Sequence, residues 1–296
     1  MKAPLSAVAA MLVLGCLGAA VQARAADGDP GEKRASSPDA VGGPPPGWVG
    51  PPPGWSGGVL AGAARLPRYE GGSGSRTQPV LGMQASYRSL RWGTVEMGSR
   101  GIGWTVVQQP ALSLGAGLQV DPGRVDNGDD KLTPLGYRPG GERLRGLGEI
   151  KAAPVLVLSG SAAAGRVSVS TALRRTLGSH EGTQVGLGLA WPLQLRPHAR
   201  LVFAPSATWA DQRTMAAYFG VSAQQSLASG FDRYRTGPGW KSAQLELQFE
   251  ADFSRDWHLQ ATLQRRRLLN DAARSPVIER RDSTAGMLAL LYTFRW

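Results

Sequence analysis

The chain is 296 residues long, with 33 Lys+Arg against 22 Asp+Glu, a formal charge of +11, 40 Gly, 21 Pro and one Cys. A single cysteine excludes a disulfide framework and any thiolate-ligated zinc or iron–sulfur site built from this chain alone. Only 42% of residues are hydrophobic and they seldom sit together, which is poor material for a conventional soluble core.

At the N-terminus, Lys2 precedes an apolar run from Leu5 to Val21, followed by Ala23-Arg24-Ala25, a small-x-small pattern. This predicts a secretory signal peptide over 1–25, cleaved before Ala26. As a membrane anchor the run is short for a bilayer span. Val13-Leu14-Gly15-Cys16 is a loose lipobox and a rival processing site. Cleavage before Ala26 removes Cys16 and leaves a thiol-free mature chain, in keeping with an oxidising envelope. Residues 26–57 are rich in Asp, Gly, Ser and Pro and repeat Pro44-Pro45-Pro46-Gly47-Trp48 as Pro51-Pro52-Pro53-Gly54-Trp55. A disordered periplasmic segment is expected, with polyproline II stretches broken by glycine. Trp48 and Trp55 read either as solvated linker residues or as hooks for a partner or the membrane interface.

From about residue 58 the period becomes two. In Gln244–Phe253 the odd positions are apolar and the even ones polar or acidic. Trp257, Leu259, Ala261 and Leu263 oppose His258, Gln260, Thr262 and Gln264 in the same way, and Leu112–Val120, Val167–Leu173 and Val185–Trp191 repeat the pattern with small or polar second faces. Each is a strand with one oily and one wet face. A sandwich buries its oily faces against each other; a transmembrane barrel turns them to lipid. Three features favour the barrel. Tyr292, Phe294 and Trp296 alternate at the end of the chain, as a barrel-assembly signal would. Trp191, Trp209, Trp240 and Trp257 fall near strand ends, where a girdle belongs. Strands near 58–65, 79–87, 90–97, 101–107, 111–120, 150–159, 165–173, 183–191, 199–209, 240–253, 257–269 and 283–296 leave long connections on one side and tight turns on the other. The expected fold is all-β: a transmembrane antiparallel up-and-down barrel of about 12 strands, within a range of about 10 to 14. The parity depends on a break at Gly98-Ser99-Arg100.

Several segments, in order, carry a family resemblance: Leu66-Pro67-Arg68-Tyr69-Glu70-Gly71, Leu144-Arg145-Gly146-Leu147-Gly148, Thr208-Trp209-Ala210-Asp211, Tyr218-Phe219-Gly220-Val221-Ser222, Ser229–Tyr234 and Arg267–Ile278. The chain resembles the MltA-interacting protein (MipA/OmpV) family of outer-membrane proteins from about residue 58 onward. The Pro-Trp tail lies outside the resemblance. What the resemblance implies is an outer-membrane barrel that is not an enzyme and acts as a scaffold linking a lytic murein transglycosylase to a penicillin-binding synthase. Other members have been regarded as pores for small solutes or surface adhesins.

A search of the residues for chemistry is mostly negative. His180, His198 and His258 have no partners at ligand spacing, and Ser179-His180-Glu181 is too extended for a relay. No metal or cofactor is expected. Gly71–Gly74, Gly101-Ile102-Gly103 and Gly186-Leu187-Gly188 match no phosphate-binding loop, and the last two suit the enclosed face of a barrel. Glu246, Glu250 and Asp252 share one face and are expected inside, paired with arginines such as Arg166 or Arg266 or lining a cation path. The charges of residues 1–57 cancel, so the +11 belongs to the barrel. Arg174-Arg175, Arg265-Arg266-Arg267 and Arg280-Arg281 fall at outer strand ends or loops. Guanidinium grips phosphate in two-pronged fashion, so an outer rim that binds lipopolysaccharide phosphates is expected, with generic loop charge as the plainer account. Export disfavours nucleic acid as a partner.

Overall fold

The computed structural model describes residues 53–296 apart from 100, 110, 127, 129, 130, 134, 135, 179 and 296. The expected signal peptide with Cys16, Ala23, Ala25 and Ala26, the tail through Trp48, and Trp296 all lie outside the described residues.

Twelve strands close into an antiparallel barrel in which each neighbours the next in the chain and the last pairs with the first. They are β1 (Gly54–Pro67), β2 (Ser75–Ser89), β3 (Gly93–Gly98), β4 (Gly101–Gln109) and β5 (Leu112–Asp121), then β8 (Ala153–Ala164), β9 (Val167–Thr176), β10 (Gly182–Arg196), β11 (Ala199–Ala210), β12 (Gly239–Asp252), β13 (Trp257–Leu268) and β14 (Asp282–Arg295). Between β5 and β8 lies a small separate hairpin, β6 (Lys131–Thr133) and β7 (Gly136–Arg138). Three short helices, α1 (Gln212–Phe219), α2 (Ala223–Ser229) and α3 (Asn270–Arg274), sit in the long connections. The break at Gly98-Ser99-Arg100 is present, since Gly98 pairs with Gly101 across the β3–β4 hairpin. The helices and the β6–β7 hairpin have no period-two signal and were not expected.

Alternation dictates the two faces. Leu187, Leu189, Trp191, Leu193 and Leu195 on β10, Leu156 and Leu158 on β8, and Val167, Val169 and Leu173 on β9 are all exposed, while Ser168 and Ala190 between them are fully buried. This wall of large apolar side chains would be unfavourable in water at roughly 25 cal/mol per Å²; hydrocarbon accommodates it. Aromatic residues gather near the ends. Trp55, Tyr87 and Trp92 stack at 5.1 and 5.6 Å, and Tyr292 lies 5.1 Å from Trp257 and 6.3 Å from Phe294, all at the short-turn end. Trp209 faces Trp240 at the other.

Closure depends on Gly62. A Cβ there would sit 2.2 Å from the Leu288 carbonyl oxygen and 2.6 Å from the Ala289 Cβ, so glycine allows β1 to meet β14. The inner face of this seam is apolar: Ala64, Leu66, Val80 and Ala285 form a buried cluster with Leu60 and Met287. That corrects the expectation that the second face is small or polar almost everywhere.

Candidate functional site

On β11–β14 the interior carries paired polar side chains. Arg200 and Glu250, 3% and 6% exposed, pair at 2.7 Å. Glu246, only 2% exposed, accepts from Gln244 Nε2 at 3.2 Å and also from Gln248. His258 bridges Asp252 at 2.8 Å and Thr293 at 3.2 Å. The inward reading of Glu246, Glu250 and Asp252 thus holds, but their partners differ from those expected. Arg166 is exposed in the turn between β8 and β9, while Arg266 reaches Gln244 at 3.0 Å and Glu70 at 3.4 Å. Gly103, Gly186 and Gly188 alternate with the exposed Ile102, Leu187 and Leu189 and therefore face inward.

At the long-loop end the connections form a cap. It is drawn from 68–74, 122–152, 211–238 and 269–281, whose described residues pack on one another as well as on the barrel. One cluster joins Tyr69, Leu144, Leu147, Val221 and Val277; another joins Ala210, Met215, Phe219, Leu268 and Ala272. α1 starts at Asp211, whose carboxylate accepts from the Thr214 N–H at 2.8 Å, and α2 starts with a capping box between Ser222 and Gln225. Arg143 donates to the carbonyls of Pro276 at 2.8 Å and Val277 at 3.2 Å, and Ser275 donates to the Phe219 carbonyl at 2.6 Å. Gly146, at φ 82°, runs so close to α2 that a Cβ would lie 2.5 Å from the Ala228 carbonyl oxygen.

Beneath the cap is a cavity of about 230 Å³ lined by Leu66, Tyr69, Glu70, Asp121, Arg124, Tyr137, Tyr218, Phe219, Gln264 and Arg266, among others. Glu70 is held between Lys241 at 3.3 Å and Arg266 at 3.4 Å. Burial alone would raise its pKa, but the two cations hold it below the ordinary value. Asp121 accepts from the Tyr218 hydroxyl and the Gly123 N–H, each at 2.8 Å. Burial, then the Asp121 carboxylate, pushes the Tyr218 phenol well up. Tyr69 donates to Glu279 at 2.9 Å, and burial followed by that bond raises its pKa too. Arg124 is 5% exposed; its guanidinium donates to the Tyr218 carbonyl at 3.2 Å, and burial lowers its pKa. Among the described residues no cluster of three or more His, Cys, Asp and Glu is placed to hold a metal.

The seven rim arginines divide. Arg265 and Arg267 are exposed on the outer face of β13, flanking Asp282 at 3.9 and 3.8 Å. Arg280 and Arg281 are exposed in the last loop. Arg175 pairs with Glu181 at 3.4 Å and donates to Thr183. Arg174 instead turns inward to Gln119 at 2.7 Å, and Arg266 faces the cavity; neither points to the lipid-facing rim. His180 is no surface residue: its side chain is 7% exposed, 3.6 Å from Asp121 and edge-on to Tyr218. Sequence reasoning missed Asp121 and Arg124 as site residues, whereas Tyr69, Glu70, Tyr218 and Phe219 lie within the segments that carried the family resemblance, without a role attached.

Comparisons with known proteins bear on this arrangement. No curated protein matches. Among solved structures, an outer-membrane channel from Pseudomonas putida aligns over 84% of this chain and 99% of its own, at 11% identity and a TM-score of 0.42. The translocator domain of the autotransporter NalP from Neisseria meningitidis aligns over 81% and 88%, at 13% identity and 0.42. OmpT of Vibrio cholerae aligns over 81% and 97%, at 6% identity and 0.35. These likenesses are too distant to bear on activity. The family model described as MltA-interacting protein MipA matches residues 59–294, from the closing seam of β1 to the end of β14. The chain therefore belongs to the MipA family and is an outer-membrane β-barrel.

Proposed function

We propose that this protein is a closed, non-enzymatic scaffold in the outer membrane that holds murein enzymes at the inner face of that membrane. The observation that supports this reading is the packing along the barrel axis. The loops pack together at the long-loop mouth, and inward side chains of β11 and β12 such as Arg200, Glu246, Gln248 and Glu250 are all under a tenth exposed. A passive solute pore needs a water-filled lumen, and this interior argues against one. The family's description names an interaction with MltA, which fits a lytic transglycosylase as one partner; a penicillin-binding synthase is the proposed second. Outer-membrane barrels keep their short turns on the periplasmic side. Gly54 lies opposite Arg88 beside those turns, so β1 begins on the murein side in this reading. Pull-down from detergent extract, with and without residues 27–52, is expected to recover a murein hydrolase and a murein synthase with the full chain. Recovery of neither would contradict the scaffold.

Arg175, Arg265, Arg267, Arg280 and Arg281 are proposed to grip lipopolysaccharide phosphates at the outer rim. Arg174 and Arg266, turned inward, drop out of this set. Changing Arg265 and Arg267 together to Gln should reduce co-purified lipopolysaccharide; unchanged retention would refute the contact.

A further inference from the structure

The cavity under the cap is assembled from parts of the chain that are remote in sequence. Its floor is the inner face of strands: Leu66 on β1, Asp121 at the end of β5, Gln264 and Arg266 on β13, and Ser283 and Ala285 on β14. Its walls draw on all four cap segments, which supply Tyr69 and Glu70, Arg124 and Tyr137, Tyr218, and Val277. At about 30 Å³ per water, its volume of about 230 Å³ has room for one six-membered ring with its substituents and too little for two.

The charges of the lining already have partners. Glu70 lies between Lys241 and Arg266, and Asp126 acts on Arg124 as a counter-charge. Asp121 accepts from Tyr218 and Gly123, with His180 3.6 Å away. An ionic ligand would enter with no opposite charge waiting for it, and an unpaired charge is costly to take out of water. Hydrogen-bonding capacity is left over. The Asp121 and Glu70 side chains are 21% and 23% exposed, and a carboxylate has about four lone-pair sites. Arg266 commits Nε and Nη2 to Gln244 and Nη1 to Glu70, so part of its five-donor fork remains, and its side chain is 28% exposed. The cavity thus offers acceptors and donors beside the rings of Tyr69, Tyr137 and Tyr218, of which Tyr218 is half-buried. A neutral ring rich in hydroxyls matches this set: each hydroxyl both donates and accepts, and the ring's C–H face packs on an aromatic one.

We infer that the cavity binds one neutral sugar ring, its hydroxyls donating to Asp121 and Glu70 and accepting from Arg266, with a C–H face against Tyr218. The site is independent of the scaffold function, which uses the opposite end of the barrel.

Saturation-transfer difference NMR on the full barrel, in a detergent without a sugar head, tests this with free hexoses. Glucose, galactose and mannose are the neutral probes; glucuronate, and glucosamine at about pH 6, carry a similar ring with a charge. At least one neutral hexose should receive saturation from the protein, and both charged sugars should bind about tenfold more weakly. Asp121→Asn, which keeps the shape, should weaken the hexose about tenfold, and Ser283→Leu, which fills the floor, should abolish transfer. A compact band on unheated gels checks that each variant has folded. Unchanged transfer in the folded variants would put the binding elsewhere and overturn the site. Equal affinity for glucuronate or glucosamine, which needs no variant, would overturn the neutral assignment. Silence from all three neutral hexoses would overturn the proposal and leave the murein pull-down unaffected.

Discussion

At the residue scale, the decisive features are buried charges and how each is matched. Arg200 and Glu250 form an enclosed pair between β11 and β12, so removing one takes a charge-assisted bond from the other while it stays buried. Arg200→Met is expected to destabilise the barrel by about 3–5 kcal/mol, whereas Arg200→Met with Glu250→Met should recover most of the loss. Denaturant unfolding in lipid vesicles measures both; a double variant no better than the single would contradict the pairing. Glu70 carries a pH signature. Its pKa is lower in the folded cap than the ordinary 4.5, so it contributes stability above 4.5 and gives it up as pH falls through the lower folded value. Hydrogen exchange across residues 68–74, corrected for intrinsic rates, should rise in that acid window, and Glu70→Gln should abolish the dependence. The direction of Arg266 was legible in the sequence, since Gln264 was already assigned inward and two residues further keeps the same face. The role of Arg124 was not: it sits in a long loop with no period, and its neighbours come from Tyr218, remote in the chain.

At the element scale, period-two alternation located the barrel strands to within a few residues because each strand has lipid on one side and a polar interior on the other. It failed in two places for physical reasons. β1 and β14 carry apolar residues inward as well as outward, so their alternation is blurred and the seam cluster of Ala64, Leu66, Val80 and Ala285 could not be foreseen. The cap is built from short helices and irregular chain whose burial comes from other loops, and no local pattern encodes that. The seam yields a sharp expectation. Gly62→Val would drive a side chain into the Leu288 carbonyl oxygen, so the barrel should not close. The variant should lose the compact, heat-modifiable band seen on unheated gels; a normal band would show that β1 and β14 can part at little cost.

At the scale of the whole molecule, three facts act together: an apolar outer wall, an interior with paired polar side chains on β11–β14, and a cap of loops interlocked through Arg143, Ser275 and Tyr69. The first requires a membrane, and the second and third crowd the barrel axis. The barrel and its membrane setting follow from the strands; the proposed scaffold role follows from what a closed barrel is unable to do and from the family's description. Conductance across a planar bilayer tests this most directly. The purified full chain should insert and stay silent at all voltages, and a chain lacking most of residues 122–152 should at most flicker, since the Arg200–Glu250 layer remains in place. Steady, step-like currents from the intact protein would mean the lumen is open to water, and the closed-barrel account would be wrong.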